Sequence, residues 1–320
     1  MKTYLVTGGT GFLGAALVRR LVQEGHVVRV LDNNSRGAVR KLGDAIQHVE
    51  LIEGDIRDAA TVSKATKGVD SVCHLAFING TAFFYSKPEL VLDVGVKGMV
   101  NVIDACHEHN VGELVVASSS EVYHHPPIIP TPENVPLVIP DPHNPRYSYA
   151  SGKLISEIMA INYGRKFFER VIIFRPHNVY GPDMGYEHVI PQFVVRMQAA
   201  VEKSDANPLP FPIQGTGHET RAFVYIDDFT DGLMLALEKG EHLGIYHIGT
   251  QVETSIADIA RLVGKFFGRD IDIVAGELQK GGTPRRCPDI TKLKNLGYQP
   301  KISLQEGITK TAQWYVENRI

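Results

Sequence analysis

The glycine-rich stretch near the N-terminus constrains the fold of this chain more than any other feature. It joins an apolar run at residues 4–6 to apolar residues at helical spacing, and it reads Thr7-Gly8-Gly9-Thr10-Gly11-Phe12-Leu13-Gly14. A strand that enters a helix through such a turn leaves backbone N–H groups free at the helix N-terminus, where a pyrophosphate can bind. Glycine permits the tight turn, the approach of backbone to phosphate and the packing of helix on strand. We therefore predict a dinucleotide site that includes Gly8, Gly11, Phe12, Leu13 and Gly14.

A carboxylate follows the second apolar run at the distance that such a site requires. The run at 27–31 ends in Asp32, about 20 residues beyond the turn, where an acid binds the hydroxyls of the adenosine ribose. The same charge repels the 2′-phosphate of NADP, so the sequence predicts NAD as the cofactor. Asn33 is assigned to the same site, and Arg36 keeps NADP open as an alternative.

Composition excludes several classes of partner. The 320 residues carry a net charge of −3, which offers no basic surface for nucleic acid and no polybasic patch for a membrane. No apolar run approaches the roughly 18 residues of a membrane span. Cys73, Cys106 and Cys287 are widely spaced and odd in number, which excludes a disulfide framework and a paired-cysteine metal site. We expect a cytoplasmic protein without a metal, since such cysteine usage suits a reducing compartment.

Strand-like runs alternate with helical patterns through the first half of the chain. After residue 31 the runs lie at 49–52, 71–75, 114–117 and 171–174, and the clearest helical patterns lie at 89–109 and 146–168. Such alternation is typical of parallel strands joined by right-handed crossovers. The predicted fold class is therefore α/β, a Rossmann-like doubly wound parallel sheet with a smaller C-terminal α/β substrate lobe.

The second half of the sequence is less regular. The proline-dense residues 126–145 predict a surface loop that leads to the helix carrying Tyr149. Beyond residue 182 we predict a helix at 189–201 and a proline-rich turn at 208–212. These elements are predicted to lie over the carboxyl ends of the strands, where ligands bind.

The two predicted domains interleave in sequence. Residues 1–180 are predicted to form the dinucleotide-binding domain, and residues 181–320 mainly the substrate lobe. A return of the chain to the first domain is predicted at 222–250, since residues 246–248 can form a further strand of the main sheet.

A tyrosine and a lysine stand one helical turn apart at Tyr149 and Lys153. A free tyrosine has a pKa of about 10, too high for a base at neutral pH. An adjacent ammonium, helped by a positive nicotinamide ring, stabilises the phenolate and lowers that pKa. Such a phenolate can take a proton from a sugar hydroxyl while the carbon gives hydride to the cofactor. A surface tyrosine beside a solvated lysine is the alternative, and the upstream dinucleotide signature favours catalysis.

Polar residues at 118–121 follow the run at 114–117 and so lie at the carboxyl end of a strand. A serine hydroxyl there can hydrogen-bond the oxygen that is being deprotonated and stabilise its developing charge. Glu121 can be a base for an acidified C–H, or a carboxylate at a helix N-terminus or a ribose contact. Both interpretations of Glu121 stay open.

Further motifs complete a pattern along essentially the whole chain. Besides the glycine turn and residues 118–123 and 149–153, they are Gly54-Asp55-Ile56, His74-Leu75-Ala76, 174–182, 221–228, 246–249 and 285–289. Together these motifs are very specific. The chain resembles the extended short-chain dehydrogenases/reductases, in the nucleotide-sugar epimerase/dehydratase group.

The resemblance implies roles at matching positions. Asp55 and Ile56 are expected to flank the adenine, and Leu75 and Ala76 to line the cofactor. The implied catalytic set is Ser119, Tyr149 and Lys153, with Ser120 and Glu121 at positions that some members use for acid–base chemistry. The implied sugar-diphosphate ligands are Asn178, Arg221 and Arg286, and arginine suits diphosphate geometry. A solvated charge at Arg286 and a turn-stabilising amide at Asn178 are the alternatives.

Several departures from the family pattern leave the subclass open. Gly95 stands where relatives often have an asparagine near the nicotinamide, and His124 stands where glycine is usual. Ser120 replaces the aspartate of thymidine-linked glucose dehydratases. Ala150 and Ser151 replace the Asp-Glu pair that is usual in decarboxylases.

The resemblance implies an NAD-dependent enzyme that oxidises a nucleotide-diphosphate sugar at C4, giving a 4-keto intermediate, with epimerisation as the favoured outcome. The alternatives are a 4,6-dehydratase, decarboxylase or 4-dehydrogenase that uses Glu121, an NADPH-dependent carbonyl reductase, and a non-catalytic nucleotide sensor. A homodimer through the helices at 89–109 and 146–168 is implied by the resemblance alone.

Overall fold

The computed structural model describes residues 1–277 and 283–318 and contains fourteen strands there. The strands are β1 (Thr3–Thr7), β2 (Val27–Asp32), β3 (Val49–Glu53), β4 (Ser71–His74), β5 (Glu113–Ala117), β6 (Arg170–Pro176), β7 (Val179–Tyr180), β8 (Leu209–Ile213), β9 (Thr220–Ala222), β10 (Val224–Tyr225), β11 (Gly244–Ile248), β12 (Glu253–Ser255), β13 (Ile271–Ala275) and β14 (Arg285–Arg286).

The α-helices of the same described ranges are α1 (Phe12–Gln23), α2 (Ala59–Thr66), α3 (Thr81–Ser86), α4 (Pro88–Leu92), α5 (Gly98–Glu108), α6 (Tyr147–Phe167), α7 (Val189–Val201), α8 (Ile226–Lys239), α9 (Ile256–Phe266), α10 (Thr291–Asn295) and α11 (Leu304–Glu317). Short 3₁₀ segments cover Val39–His48 and Ser120–Tyr123, and a π-helical turn covers Asp93–Lys97.

A seven-stranded sheet forms the centre of the molecule, in the order β11-β6-β5-β4-β1-β2-β3. Every neighbouring pair in it is parallel. Its outermost strand on one side, β11, pairs with β6 from Gly244↔Ile172 to Ile248↔Pro176, as predicted from the run at 246–248. The α/β doubly wound fold is therefore confirmed, and strand β11 belongs to the main sheet, whereas the division into two domains stays a prediction.

Both faces of this sheet are covered by helices. Successive residues of β1 point to opposite faces, so Val6 packs with α1 and α8 whereas Leu5 packs with α2, α5 and α6. The strands of a parallel sheet that is buried on both faces have nearly continuous apolar sequences, which explains why they could be predicted. Apolar side chains of α7, α9 and α11, including Phe193, Ile259 and Ile308, join the cluster that contains Val6.

The prediction of a proline-rich turn at 208–212 is wrong, because residues 209–212 belong to strand β8. Leu209, Phe211 and Ile213 are buried and alternate with exposed Pro210 and Pro212. Strand β8 pairs in parallel with β13 in a two-stranded sheet, so one edge of β8 has no partner strand. A proline is tolerated where its missing N–H would face that open edge. The region beyond residue 182 is also more regular than its sequence suggested, since α8, α9 and α11 are long helices.

The helical pattern at 89–109 forms α4, the π turn and α5 in direct succession. The wider turn is centred on Gly95, the glycine that departs from the family pattern. Residues 126–145 contain no helix, in agreement with the predicted loop. Within 1–277 and 283–318, no helix is both long and apolar enough to cross a membrane.

Candidate active site

The glycine turn between β1 and α1 has no room for a side chain at two positions, and at the first of them the backbone also favours glycine. Gly8 has φ +73, and a Cβ on it would lie 2.7 Å from the backbone nitrogen of Ala76. A Cβ on Gly14 would lie 2.0 Å from the carbonyl oxygen of Gly8. The turn therefore brings strand, helix and the segment after β4 into close contact, which leaves backbone free of side chains at the N-terminus of α1. This is the geometry that a pyrophosphate requires.

Asp32 ends β2 beside this turn and is 9% exposed. Its carboxylate accepts hydrogen bonds from the backbone N–H groups of Thr10 and Asn34, each at 2.9 Å. These contacts fix the acid next to the turn, where it suits a ribose diol and disfavours a phosphate. The guanidinium of Arg36, the residue that kept NADP open, donates to Glu187 at 2.7 Å. The residues present therefore fit NAD.

The adenine position predicted from the sequence also lies at this end of the site. Asn33 donates to Asp55 at 3.1 Å, and Arg57 donates to the same carboxylate at 2.7 Å. The hydrogen bond from Arg57 lowers the pKa of Asp55 to about 2. Ile56, the next residue, is buried and packs against Gly98 of α5.

A cleft of about 770 Å³ runs along the carboxyl ends of the central strands. Its walls include every cofactor-binding and catalytic residue that the sequence predicted, namely Gly8, Gly11, Phe12, Leu13, Gly14, Asp32, Asn33, Asp55, Ile56, Leu75, Ala76, Ser119, Ser120, Glu121, Tyr149 and Lys153. Of the predicted sugar-diphosphate ligands, Asn178 and Arg286 line the cleft. The roles of these residues stay predictions, but the fold brings the residues together.

Tyr149 lies in the first turn of α6, and its side chain is almost completely buried. Burial raises its pKa, and a hydrogen bond with Ser119 opposes this rise. The lowering of the pKa predicted from Lys153 and a positive nicotinamide ring stays a prediction for the enzyme with its cofactor bound. The hydrogen bond with Ser119 places the hydroxyl beside the polar end of β5, at the cleft.

Lys153 follows on the same helix and is 4% exposed. Its ammonium donates to the carbonyl oxygen of Ala117 at 2.6 Å, which ties α6 to the end of β5. Burial lowers the pKa of Lys153 to about 7, and the negative charge of Glu157 acts in the opposite direction. Its Nζ lies 5.9 Å from the centre of the Tyr149 ring.

Ser119 and Glu121 stand at the start of the short 3₁₀ segment after β5. Ser119 caps this segment by accepting a hydrogen bond from the backbone N–H of Glu121 at 3.1 Å. The Glu121 carboxylate accepts a 2.6 Å hydrogen bond from Arg286. Burial alone would raise the pKa of Glu121, but Arg286, with Arg146 and Arg221, lowers it to about 2. Glu121 is therefore an ionised carboxylate held by an arginine.

Arg221 lies beside Arg286 but not on the wall of the cleft, as far as the described residues define that wall. The two arginines are register partners of the parallel strands β9 and β14. Arg221 donates to the carbonyl oxygen of Thr283 at 2.7 Å and to that of Thr220 at 2.8 Å. Burial lowers its pKa to about 10, with a further contribution from Arg286.

Asn178 supports a turn and also lines the cleft, and its role as a sugar-diphosphate ligand stays a prediction. It has a positive φ of 43 and donates to the carbonyl oxygen of Ala222 at 3.3 Å, so its amide supports the turn after β6.

Several residues of the cleft were not predicted from the sequence. Phe77 and Phe84 come from the segment after β4, and residues 184–188 come from the second lobe. The position of Phe77 directly after the His74-Leu75-Ala76 motif was a signal that could have identified it. No comparable signal marks residues 184–188, because their approach to the cleft depends on tertiary packing.

Comparison with known proteins agrees with this geometry. A profile described as the NAD dependent epimerase/dehydratase family matches residues 4–249. The dTDP-4-dehydro-6-deoxy-D-allose reductase of Streptomyces bikiniensis is 30% identical over 327 residues, with 98% of this chain and 96% of the relative covered. The dTDP-glucose 4,6-dehydratase of Streptomyces antibioticus is 31% identical over 326 residues, covering 98% and 92%.

A solved structure with a similar fold is that of UDP-glucose 4-epimerase from Thermotoga maritima with UDP-glucose. It has a TM-score of 0.86 and 28% sequence identity, and the match covers 98% of this chain and 99% of that one. The predicted resemblance, the assignment as an enzyme and the NAD cofactor are confirmed at the level of the family. Chemistry on a nucleotide-linked sugar is also supported at the level of the family. The relatives catalyse different reactions, so they do not indicate which one this chain catalyses. This chain belongs to the NAD-dependent epimerase/dehydratase family.

Proposed function

We propose that this protein is a nucleotide-sugar 4-epimerase, in which a sugar is oxidised at C4 and reduced again from the opposite face. The observation that carries this proposal is the difference between the surroundings of Tyr149 and of Glu121, the two groups that could act as bases. Tyr149 is held beside Ser119 and Lys153, whereas Glu121 is ionised and bound to Arg286. A carboxylate with a pKa of about 2 is a weak base for a C–H bond, which argues against proton removal at C5.

The chain's own residues can perform each proton step of a C4 epimerisation. Tyr149 takes the proton of the C4 hydroxyl as the C–H bond of C4 breaks, and Ser119 stabilises the charge that develops on that oxygen. NAD, when bound in the cleft, would supply a reversible hydride acceptor for C4. Lys153 stabilises the phenolate, and Tyr149 gives the proton back when the keto oxygen is reduced.

The substrate is proposed to be a sugar attached to a nucleoside diphosphate. Arg286 and Asn178 line the cleft, and Arg221 is the next cation behind Arg286. A guanidinium group can bind phosphate oxygens through two parallel hydrogen bonds. The relatives that act on dTDP- and UDP-linked sugars support this substrate class.

The second candidate is a 4,6-dehydratase or a decarboxylase, in which Glu121 acts on the 4-keto intermediate. The observation in its favour is that Glu121 and Ser120 both line the cleft. This reaction requires Glu121 to leave Arg286, because its pKa must rise before it can accept a proton.

Incubation with UDP-, GDP-, dTDP- and CDP-sugars in deuterated water, followed by NMR, distinguishes the candidates. Inversion at C4 without deuterium supports the epimerase. Deuterium at C5, or loss of water or carbon dioxide, supports the second candidate and contradicts the first. Tyr149→Phe is the control, since it removes the hydroxyl and is expected to lower turnover by roughly 10²-fold or more.

We also propose that the enzyme works as a homodimer in the cytoplasm. Leu92 of α4 and Ile155 and Ile158 of α6 are 36%, 37% and 52% exposed, and the two helices pack against each other. Apolar side chains grouped on neighbouring helices are typical of a protein interface. Light scattering after size exclusion tests the dimer, and a monomeric mass contradicts it. The cysteines at 73, 106 and 287 are free thiols, as in a reducing compartment.

A further inference from the structure

Phe77 lies against the two side chains that the proposed reaction uses. It lies three residues after the end of β4, and its ring centre lies 4.0 Å from the ammonium nitrogen of Lys153. The Phe77 ring also meets the Tyr149 ring edge to face, with centres 5.2 Å apart and an angle of 86°. One aromatic ring therefore contacts both the cation and the phenol of the pair.

Two glycines lie close to the tip of this ring. A Cβ on Gly95 would lie 2.2 Å from Cζ of Phe77, and a Cβ on Gly152 would lie 3.0 Å from the same atom. Gly95 is in the π turn at Asp93–Lys97, and such turns within α-helices are frequent at functional sites. The wide turn and its glycine together make the space that the ring occupies.

The contact between ring and ammonium has an electrostatic consequence. The face of an aromatic ring attracts a cation, and this attraction is strongest where water is excluded. Lys153 is buried, and burial disfavours its charged form. The ring of Phe77 therefore compensates for part of the hydration that the ammonium loses.

We propose that Phe77 is a positioning residue, which holds Lys153 charged and beside Tyr149 through the face of its ring, in a space opened by Gly95. This inference deepens the proposed function and rests on the roles of Tyr149 and Lys153 there. It means that an apolar side chain helps to stabilise a charged group of the site.

The other charged and titratable groups around the pair are few in the described parts of the chain. Glu157 acts on Lys153 from the next turn of α6, and His74 of β4 is close enough to interact with the ammonium. Glu121 acts on Tyr149. These groups remain in place in the variants proposed below, so a change in titration reports on the ring.

Phe77→Leu keeps apolar bulk and removes the aromatic face. Titration of the Lys153 side chain by NMR is expected to show its pKa lowered by about 0.5 unit or more. The acid limb of kcat/KM is expected to move to higher pH, because a less charged lysine stabilises the phenolate less. Phe84→Leu is the matched control, since Phe84 stacks on Tyr149 with centres 4.9 Å apart and should leave the titration of Lys153 unchanged.

A pair of substitutions tests the space at Gly95 independently of turnover. Gly95→Ala is expected to displace the ring of Phe77 and to lower the Tm, whereas the same change in a Phe77→Ala background should cost little. Additive effects on Tm would overturn the packing relationship. An unchanged Lys153 titration in Phe77→Leu would overturn the electrostatic role. The Lys153 titration and the Tm can both be measured even if no sugar nucleotide is turned over. A negative result for this inference can therefore be told apart from a negative result for the proposed function.

Discussion

Glu121 and Arg286 form an ion pair of 2.6 Å on the wall of the cleft. The first residue follows β5 in the central sheet and the second ends β14, so the contact joins the two halves of the chain at the site. Each partner has a second task in the proposed chemistry, because Arg286 is a diphosphate ligand and Glu121 a potential base. Arg286 presents several N–H donors, so it can bind a diphosphate and still hold Glu121.

Arg286→Ala should raise KM for the sugar nucleotide by about tenfold or more, because charged hydrogen bonds to phosphate are lost. The measurement is steady-state kinetics with the sugar nucleotide identified by NMR. Arg285→Ala is the control, since Arg285 is exposed and binds Glu253 at 2.7 Å, and KM should stay unchanged. An unaltered KM in Arg286→Ala would favour a carbonyl reductase that needs no diphosphate site.

Folding stability should depend on pH through Glu121. Burial opposes ionisation, yet Arg286 lowers the pKa of Glu121 from 4.5 to about 2. A depressed pKa means that the pair stabilises the fold above pH 4.5 and that this contribution is lost as the pH falls towards 2. The difference in unfolding free energy between wild type and Glu121→Gln should therefore shrink from pH 5 to pH 3 in urea titrations. A difference in unfolding free energy that stays constant with pH would show that the charge of the carboxylate does not contribute to stability.

A second ion pair lies inside the protein, where Arg175 donates to Glu157 at 2.6 Å and the side chains are 2% and 3% exposed. Glu157→Ala leaves the guanidinium buried without its partner and should cost about 3–5 kcal/mol of unfolding free energy. Glu50→Ala removes the partner of Arg29 at the surface and should cost less than about 1 kcal/mol. Urea denaturation measures both, and equal losses would contradict the importance of burial.

Cofactor retention should depend on salt through Arg36 and Glu187, which join the loop after β2 to the segment before α7 on the wall of the cleft. Both side chains are partly exposed, so salt screens the pair. Glu187→Gln should release NAD a few-fold faster than wild type at low salt, and 1 M salt (a Debye length of about 3 Å) should abolish the difference.

The experiment measures the NAD that stays bound to the protein at successive times after dilution, by rapid desalting and acid release. Glu306→Gln is the control, because it breaks the exposed pair with Lys310 on α11. Equal release rates for wild type and Glu187→Gln at low salt would contradict a role of this contact in retention.

The sequence predicted most of the central sheet because its strands are buried on both faces and are short apolar runs. The site was predictable where a motif is local, as in the glycine turn or the pair Tyr149 and Lys153. Strand β8 was missed because prolines suggest a turn, and only its position at a sheet edge permits them.

The contacts of the site that the sequence did not predict join residues that are far apart in the chain. Neither the pairing of Glu121 with Arg286 nor that of Arg36 with Glu187 leaves a trace in sequence spacing. The packing of Phe77 on Gly95 likewise depends on a π turn that no periodicity revealed.

The late position of β11 in the chain has a consequence for biosynthesis. Strand β6 receives its outer neighbour only when residues 244–248 have left the ribosome, since these residues complete the sheet. Until then the nascent polypeptide presents an open strand edge, a template for pairing with other chains. Translation must therefore pass well beyond α6 before this edge of the newly made protein is protected from aggregation.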